Sequence, residues 1–118
     1  MSLVSYFSKW FKVYDFIGLE KSEKLITFYS EGKNYWPYLK GIIDSLLLDS
    51  NYSIHYITSD KDDPGLKDES ENYHTLLIDD GYMRDWLFKN LNTYILITTM
   101  PDIDNFQIKK SSATNHYI

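Results

Sequence analysis

The chain contains no cysteine among its 118 residues. A disulfide framework and a thiolate metal centre are therefore excluded, and nothing argues for an oxidising compartment. Basic residues are also in short supply: twelve Lys and Arg stand against seventeen Asp and Glu, for a net charge of -5. Duplex affinity rests on clustered lysine and arginine neutralising phosphates, and no such cluster occurs, so broad nucleic-acid binding is excluded. Long apolar runs are missing too, since none approaches the ~18 residues that a bilayer span requires. The three histidines, His55, His74 and His116, share no ligand spacing with one another, which leaves zinc without a site and makes structural roles the expectation. No serine sits in a G-x-S-x-G turn and no P-loop spacing of glycine and lysine is present, so a hydrolase elbow and a nucleotide cradle are both missing.

What is there is one domain's worth of alternating strand and helix signals. The run Leu25-Ile26-Thr27-Phe28-Tyr29 suits a strand covered on both faces, where hydrophobicity need not alternate. A polar turn, Ser30-Glu31-Gly32-Lys33-Asn34, leads from it into a helix carrying Leu39, Ile42, Ile43, Leu46 and Leu47 at helical spacing, with Pro37 in its first turn. Further strands are expected at Ser53 to Thr58, at His74 or Thr75 to Ile78, and at Tyr94 to Thr98. A helix lies between the last two, with Met83, Trp86, Leu87 and Leu91 as its apolar face, Asp79 or Asp80 as its cap and Asn92 at its end. A final strand begins at His116.

Ahead of this unit, residues 1 to 23 form an amphipathic aromatic helix and a connector. Leu3, Phe7, Trp10, Tyr14 and Ile17 recur at helical spacing, and Phe11 adds to the aromatic content. That stripe either packs on protein or lies at a membrane interface, where Phe7, Trp10, Phe11 and Tyr14 are the candidates for lipid contact beside Lys9 and Lys12.

Strands alternating with helices give a parallel sheet with right-handed crossovers and helices on both faces, and the expected strand order is 3-2-1-4-5. In that order the loops after strands 1 and 4 meet at the switch point, where open parallel sheets bind ligands. The candidate cleft is therefore Ser30, Glu31, Gly32, Lys33, Tyr35 and Trp36 from one loop, with Met100, Pro101, Asp102, Asp104 and Asn105 from the other.

Four ordered segments together carry a family likeness: Phe28 to Gly41, Ser59 to Leu66, Arg84 to Phe88, and Thr99 to Ser111. They resemble the amino-terminal part of the CDP-glycerol glycerophosphotransferases, enzymes that prime or polymerise teichoic-acid-like glycerol phosphate chains. The resemblance runs from about residue 24 to residue 118. It implies a Rossmann-like half of a GT-B transferase, on the acceptor side of the active site. The partners it implies are an acceptor glycan or polyol phosphate, lipid-linked, with CDP-glycerol held by a second half in the parent protein. It also implies a cytoplasmic location, peripheral on the inner face of the membrane. The donor site and the base expected of the family lie beyond residue 118, so the chain is expected to be a fragment, inactive alone, with His116 not the base. No catalytic residue, metal or cofactor is assigned within it. A stand-alone α/β ligand-binding or interaction module without catalysis is the alternative. A receiver-like module fits less well, since only Glu31 and the pair Asp79 and Asp80 stand near the acidic positions it needs.

Three constellations have a plainer explanation beside the functional one. Ser30-Glu31-Gly32-Lys33 could seat a phosphate or a hydroxyl on helix-start amides, or could be a solvated turn. Asp60, Asp62, Gly65, Asp68 and Glu71 match five positions of a calcium loop, but Pro64 fails the fifth and a strand precedes it, so a solvated acidic loop is expected. Asp102 and Asp104 are a carboxylate pair, and Asp102 is equally a cap for a short helix from Ile103 to Ile108.

Overall fold

The computed structural model describes residues 3–49, 51–68, 70–100 and 116–117. In chain order the elements are α1 (Leu3–Gly18), β1 (Ile26–Ser30), α2 (Trp36–Asp49), β2 (Ile54–Thr58), β3 (Tyr73–Leu77), α3 (Tyr82–Asn90), β4 (Ile95–Thr98) and the two-residue β5 (His116–Tyr117). Four strands form an all-parallel sheet in the order β3-β2-β1-β4. The short β5 pairs with the outer side of β4. The expected helix from Ile103 to Ile108 lies outside the described residues.

β1 and β2 are buried at every position, as the unbroken apolar run requires of strands covered on both faces. On one face Ile26, Phe28, Ile54, Tyr56 and Tyr73 pack against Trp36, Leu39 and Ile43 of α2. On the other, Tyr29, Ile57, Leu76 and Leu96 pack against Val13 and Phe16 of α1 and against Met83, Leu87 and Phe88 of α3. Each such side chain contributes roughly 1.5–3 kcal/mol by leaving water, so the two layers account for the helices lying where they do.

The face of α1 that packs is a correction to the sequence expectation. Val13 and Phe16 are the buried residues of the helix, and Trp10 and Ile17 lean against the same core. The stripe read from the sequence is split: Trp10 and Ile17 meet the core, whereas Leu3, Phe7 and Tyr14 remain exposed, as does Phe11 beside them. α1 has two apolar faces, and its spacing alone does not say which one meets the sheet.

The helix is tied down at its end by Lys24. No basic residue occupies the last turn of α1, so its terminal carbonyls lack the usual cation. The fully buried Lys24 comes back from the connector and donates to the carbonyls of Phe16 at 2.6 Å and Ile17 at 2.7 Å. Its ammonium lies 4.9 Å from the centre of the Phe16 ring. Burial pulls the Lys24 ammonium down to about 8, against the opposing pull of Glu23 and Glu20.

Two further expectations change. α3 is capped by Gly81, with no side-chain cap, and not by Asp79 or Asp80. Asp79 instead takes an ion pair from Lys9 of α1 at 2.7 Å. In the acidic stretch after β2, Asp62 and Glu71 are exposed as expected, but Asp63 turns inward: it is buried and accepts from the Tyr56 hydroxyl at 2.8 Å and from Gly65 N–H at 2.9 Å. Gly65 lies flat on this cluster. A Cβ there would come within 2.5 Å of the Tyr56 ring and 2.9 Å of the Trp36 ring, closer than packed atoms allow.

Candidate functional site

Three neighbouring strands, β1, β2 and β4, end in hydroxyl residues, and each hydroxyl closes the same local turn. Ser30 Oγ accepts from Gly32 N–H at 3.3 Å and donates to the Gly32 carbonyl at 2.9 Å. Thr58 Oγ1 accepts from Asp60 N–H at 3.1 Å, and Thr98 Oγ1 accepts from Met100 N–H at 3.0 Å. Side-chain oxygens of serine and threonine compete with the next strand residue for the amide two positions on, so each strand stops and turns there. Ser30 stands opposite Thr58 in the register, and Tyr29 stands opposite Thr98. The three turns therefore leave the sheet at one rim, at the carboxyl ends of its strands.

The first loop is held from both sides. Thr99 Oγ1 accepts from Glu31 N–H at 3.0 Å and donates to the Glu31 carboxylate at 3.1 Å. From β2's side, the Asp60 carboxylate accepts from Lys33 N–H at 2.9 Å and from Asp62 N–H at 2.9 Å. Those two backbone bonds, Asp62 first, hold the Asp60 carboxyl below its ordinary value. The amides of residues 31, 32 and 33 thus have internal partners. An anion cradle made from them, one of the two readings of Ser30-Glu31-Gly32-Lys33, is already occupied by the protein's own groups: the Thr99 and Ser30 hydroxyls and the Asp60 carboxylate.

The expected cleft residues divide accordingly. Glu31, Lys33 and Tyr35 are exposed at the rim and Gly32 is half-buried. Ser30 is wholly buried and Trp36 nearly so. The Trp36 ring packs edge-on against Tyr56 at 5.2 Å, which makes it part of the core beneath the loop, a correction to its placement in the cleft. Met100 is half-buried beside the α1–α3 core. Pro101, Asp102, Asp104 and Asn105 lie outside the described residues.

The rim also holds side chains that the sequence reading passed over. The Tyr29 hydroxyl and Ser59 Oγ are 2.7 Å apart. Arg84, in the first turn of α3, interacts with that hydroxyl. Burial pushes the Tyr29 hydroxyl above its ordinary value, partly offset by Ser59 and Arg84, so it stays a neutral donor at physiological pH. Thr99, Ser59 and Asp60 had a sequence signal, the hydroxyl pairs and polar residue directly after apolar strands. Arg84 stands in one of the family-like segments, but only the packing of α3 brings it to the rim.

Other concave surfaces lie away from these groups. A groove of about 530 Å³ runs between α1 and the β3 edge, lined among others by Val4, Lys9, Lys12, Leu66 and Leu77. Its Lys9 is already paired with Asp79. Among the described residues no group of three or more His, Asp or Glu is arranged to hold a metal ion, and no helix is long and apolar enough to cross a membrane. Compared with known proteins, the chain matches no family model, no curated protein and no solved structure.

Proposed function

We propose that the chain is the acceptor-side, Rossmann-like half of a GT-B-type transferase that moves glycerol phosphate from CDP-glycerol to a glycan or polyol phosphate acceptor in surface-polymer synthesis. In this reading β5 is the start of a full fifth strand, and a second half holds the donor. The acceptor hydroxyl attacks the phosphorus that carries glycerol, the new P–O bond forms, the bond to CMP breaks, and the hydroxyl proton leaves to a base outside this chain. The observation that carries the reading is the reciprocal pair of bonds between Glu31 and Thr99, which joins the two family-like loops at the rim where parallel sheets bind ligands.

Glu31 is the residue we assign to the acceptor. Its carboxylate is exposed, is steadied by Thr99, and accepts from a hydroxyl, with Lys33 beside it for a neighbouring phosphate. In the parent protein, Glu31→Ala should raise the acceptor KM about tenfold, the loss of one charge-assisted hydrogen bond, and leave the KM for CDP-glycerol unchanged. An equal loss for the donor, or no change for the acceptor, overturns the assignment.

A lipid-linked acceptor also gives the outward face of α1 a place. Phe7 and Phe11, with Leu3 and Tyr14, are the face we assign to peripheral contact with the inner leaflet, while Trp10 belongs to the protein core side. Co-sedimentation with anionic vesicles should fall on Phe7→Ser with Phe11→Ser at unchanged melting temperature. Equal sedimentation of variant and unaltered protein removes the membrane from the proposal.

A further inference from the structure

Arg84 is a largely buried cation at the rim whose one hydrogen-bonding neighbour among the described residues is the neutral Tyr29 hydroxyl. Its side chain is only 22% exposed, and the nearest carboxylate oxygen, Asp85 Oδ1, is 3.7 Å from its Nε. Among the described residues, neither the Arg84 Nε nor that Asp85 oxygen has a hydrogen-bond partner, though both are buried. A largely buried cation costs stability unless it is paired, and among the described residues Arg84 has a neutral hydroxyl beside it but no hydrogen-bonded counter-ion, so it keeps donors to offer a ligand.

Its surroundings define that ligand. Phe88 meets the Tyr29 ring edge-on at 5.0 Å. Arg84 precedes Phe88 by four residues on α3 and therefore lies on the same face, one turn closer to the rim. That puts the guanidinium beside the Tyr29 hydroxyl, which is 2.7 Å from Ser59 Oγ. Two hydroxyls that share one hydrogen bond use one of their two protons, and the other is left to donate outward. The donors at this point are a guanidinium fork and one hydroxyl proton, a set that matches the oxygens of a phosphate.

We infer that Arg84, Tyr29 and Ser59 form an oxyanion-binding site at the carboxyl rim that seats the phosphate of a hydroxyl-bearing ligand. The opposing charges there are the Asp85 carboxylate, 3.7 Å from Nε, and Glu31, which acts on the same Tyr29 hydroxyl. No ion pair joins Arg84 to Glu31 among the described residues, so the cation takes the phosphate and the carboxylate takes a hydroxyl of the same molecule. Identifying that molecule as the acceptor's phosphate-bearing end rests on the transferase reading. The site itself does not.

The test is an NMR titration of the chain with sn-glycerol 3-phosphate, with glycerol and acetate as control ligands. The expected result is saturable shifts at Ser59, Arg84 and their neighbours with a Kd of roughly 1–10 mM, and no saturation with either control. Arg84→Gln should weaken this binding at least tenfold and Arg84→Lys much less, since lysine keeps the charge but loses the fork. Ser59→Ala and Tyr29→Phe should each weaken it severalfold, which keeps the test valid if Arg84→Gln does not fold. The inference is overturned by Arg84→Gln binding within twofold of the unaltered chain, by acetate or glycerol binding as well as glycerol 3-phosphate, or by no saturable shift at tens of millimolar. Failure here with a selective Glu31 effect on acceptor KM leaves the transferase reading standing. The converse pattern leaves the oxyanion site standing without that reading.

Discussion

The two rims of the sheet both bury polar groups, and they use them in opposite ways. At the amino rim, Lys24 donates to two carbonyls of α1, Thr93 Oγ1 joins the Thr27 hydroxyl and the carbonyls of Lys24 and Leu25, and His55 Nε2 lies 3.1 Å from the Glu23 carbonyl. These groups find protein partners, and Lys24, Thr27 and Thr93 are wholly buried. At the carboxyl rim the amides of residues 31, 32, 33, 60 and 100 are bonded as well, yet among the described residues Glu31, Lys33 and the Tyr29–Ser59–Arg84 group still have donors or acceptors to offer. One rim fastens the fold and the other presents chemistry, a division that parallel sheets show generally.

The contrast can be broken most directly at Lys24. Lys24→Ala removes two charge-assisted bonds, opens a cavity and leaves buried carbonyls unsatisfied, so it should cost about 3 kcal/mol in urea unfolding. A cost under about 1 kcal/mol would mean that the amino rim does not fasten α1.

A second measurement sharpens the contrast through pH. Burial holds the His55 imidazole down to about 4, with His74 and Lys24 adding to the effect and the bond to Glu23 opposing it. The folded state keeps His55 neutral while the unfolded chain protonates near 6.5. The unfolded state therefore binds the extra proton, and stability present above pH 6.5 is lost as the pH falls toward 4, by on the order of 2 kcal/mol. His55→Gln should flatten that acid limb. At the alkaline side Lys24 has the same sign: stability should rise from about pH 8 to 10 as the folded state releases a proton that the unfolded chain keeps.

The smallest effect is expected at the other rim. Glu31→Ala should change unfolding free energy by less than about 0.5 kcal/mol, because the residue is exposed and its bonds compete with water. A loss as large as that of Lys24→Ala would make the carboxyl rim a second fastening.

How much of this was legible in the sequence differs by layer. The parallel sheet followed from apolar runs alternating with helical spacing, because strands as apolar as Ile26 to Tyr29 and Ile54 to Ile57 need cover on both faces; the order within it was a choice among parallel topologies, and the structure has β3-β2-β1-β4. The face of α1 was not legible: Phe7, Phe11 and Tyr14 are as apolar as Val13 and Phe16, and the choice between them is made by the groove they meet. The inward turn of Asp63 was also hidden, since a buried carboxylate and a solvated one look alike until Tyr56 is placed beside it. For the site, the meeting of the loops after β1 and β4 was readable from strand order. Arg84 was not, because its address is set by the contact of Phe88 with Tyr29.

The Asp60 carboxylate on the Lys33 amide has a consequence for selectivity in a crowded solution. A tethered competitor acts at an effective concentration that for short flexible links is of millimolar order, and higher where the fold fixes its position. Free inorganic phosphate must displace that carboxylate, and the Thr99 and Ser30 hydroxyls with it, to occupy the loop amides, so the loop stays closed to a small anion with nothing else to offer. On the proposed reading, recognition at this rim is thereby passed to side chains, which a larger ligand would reach at several points at once.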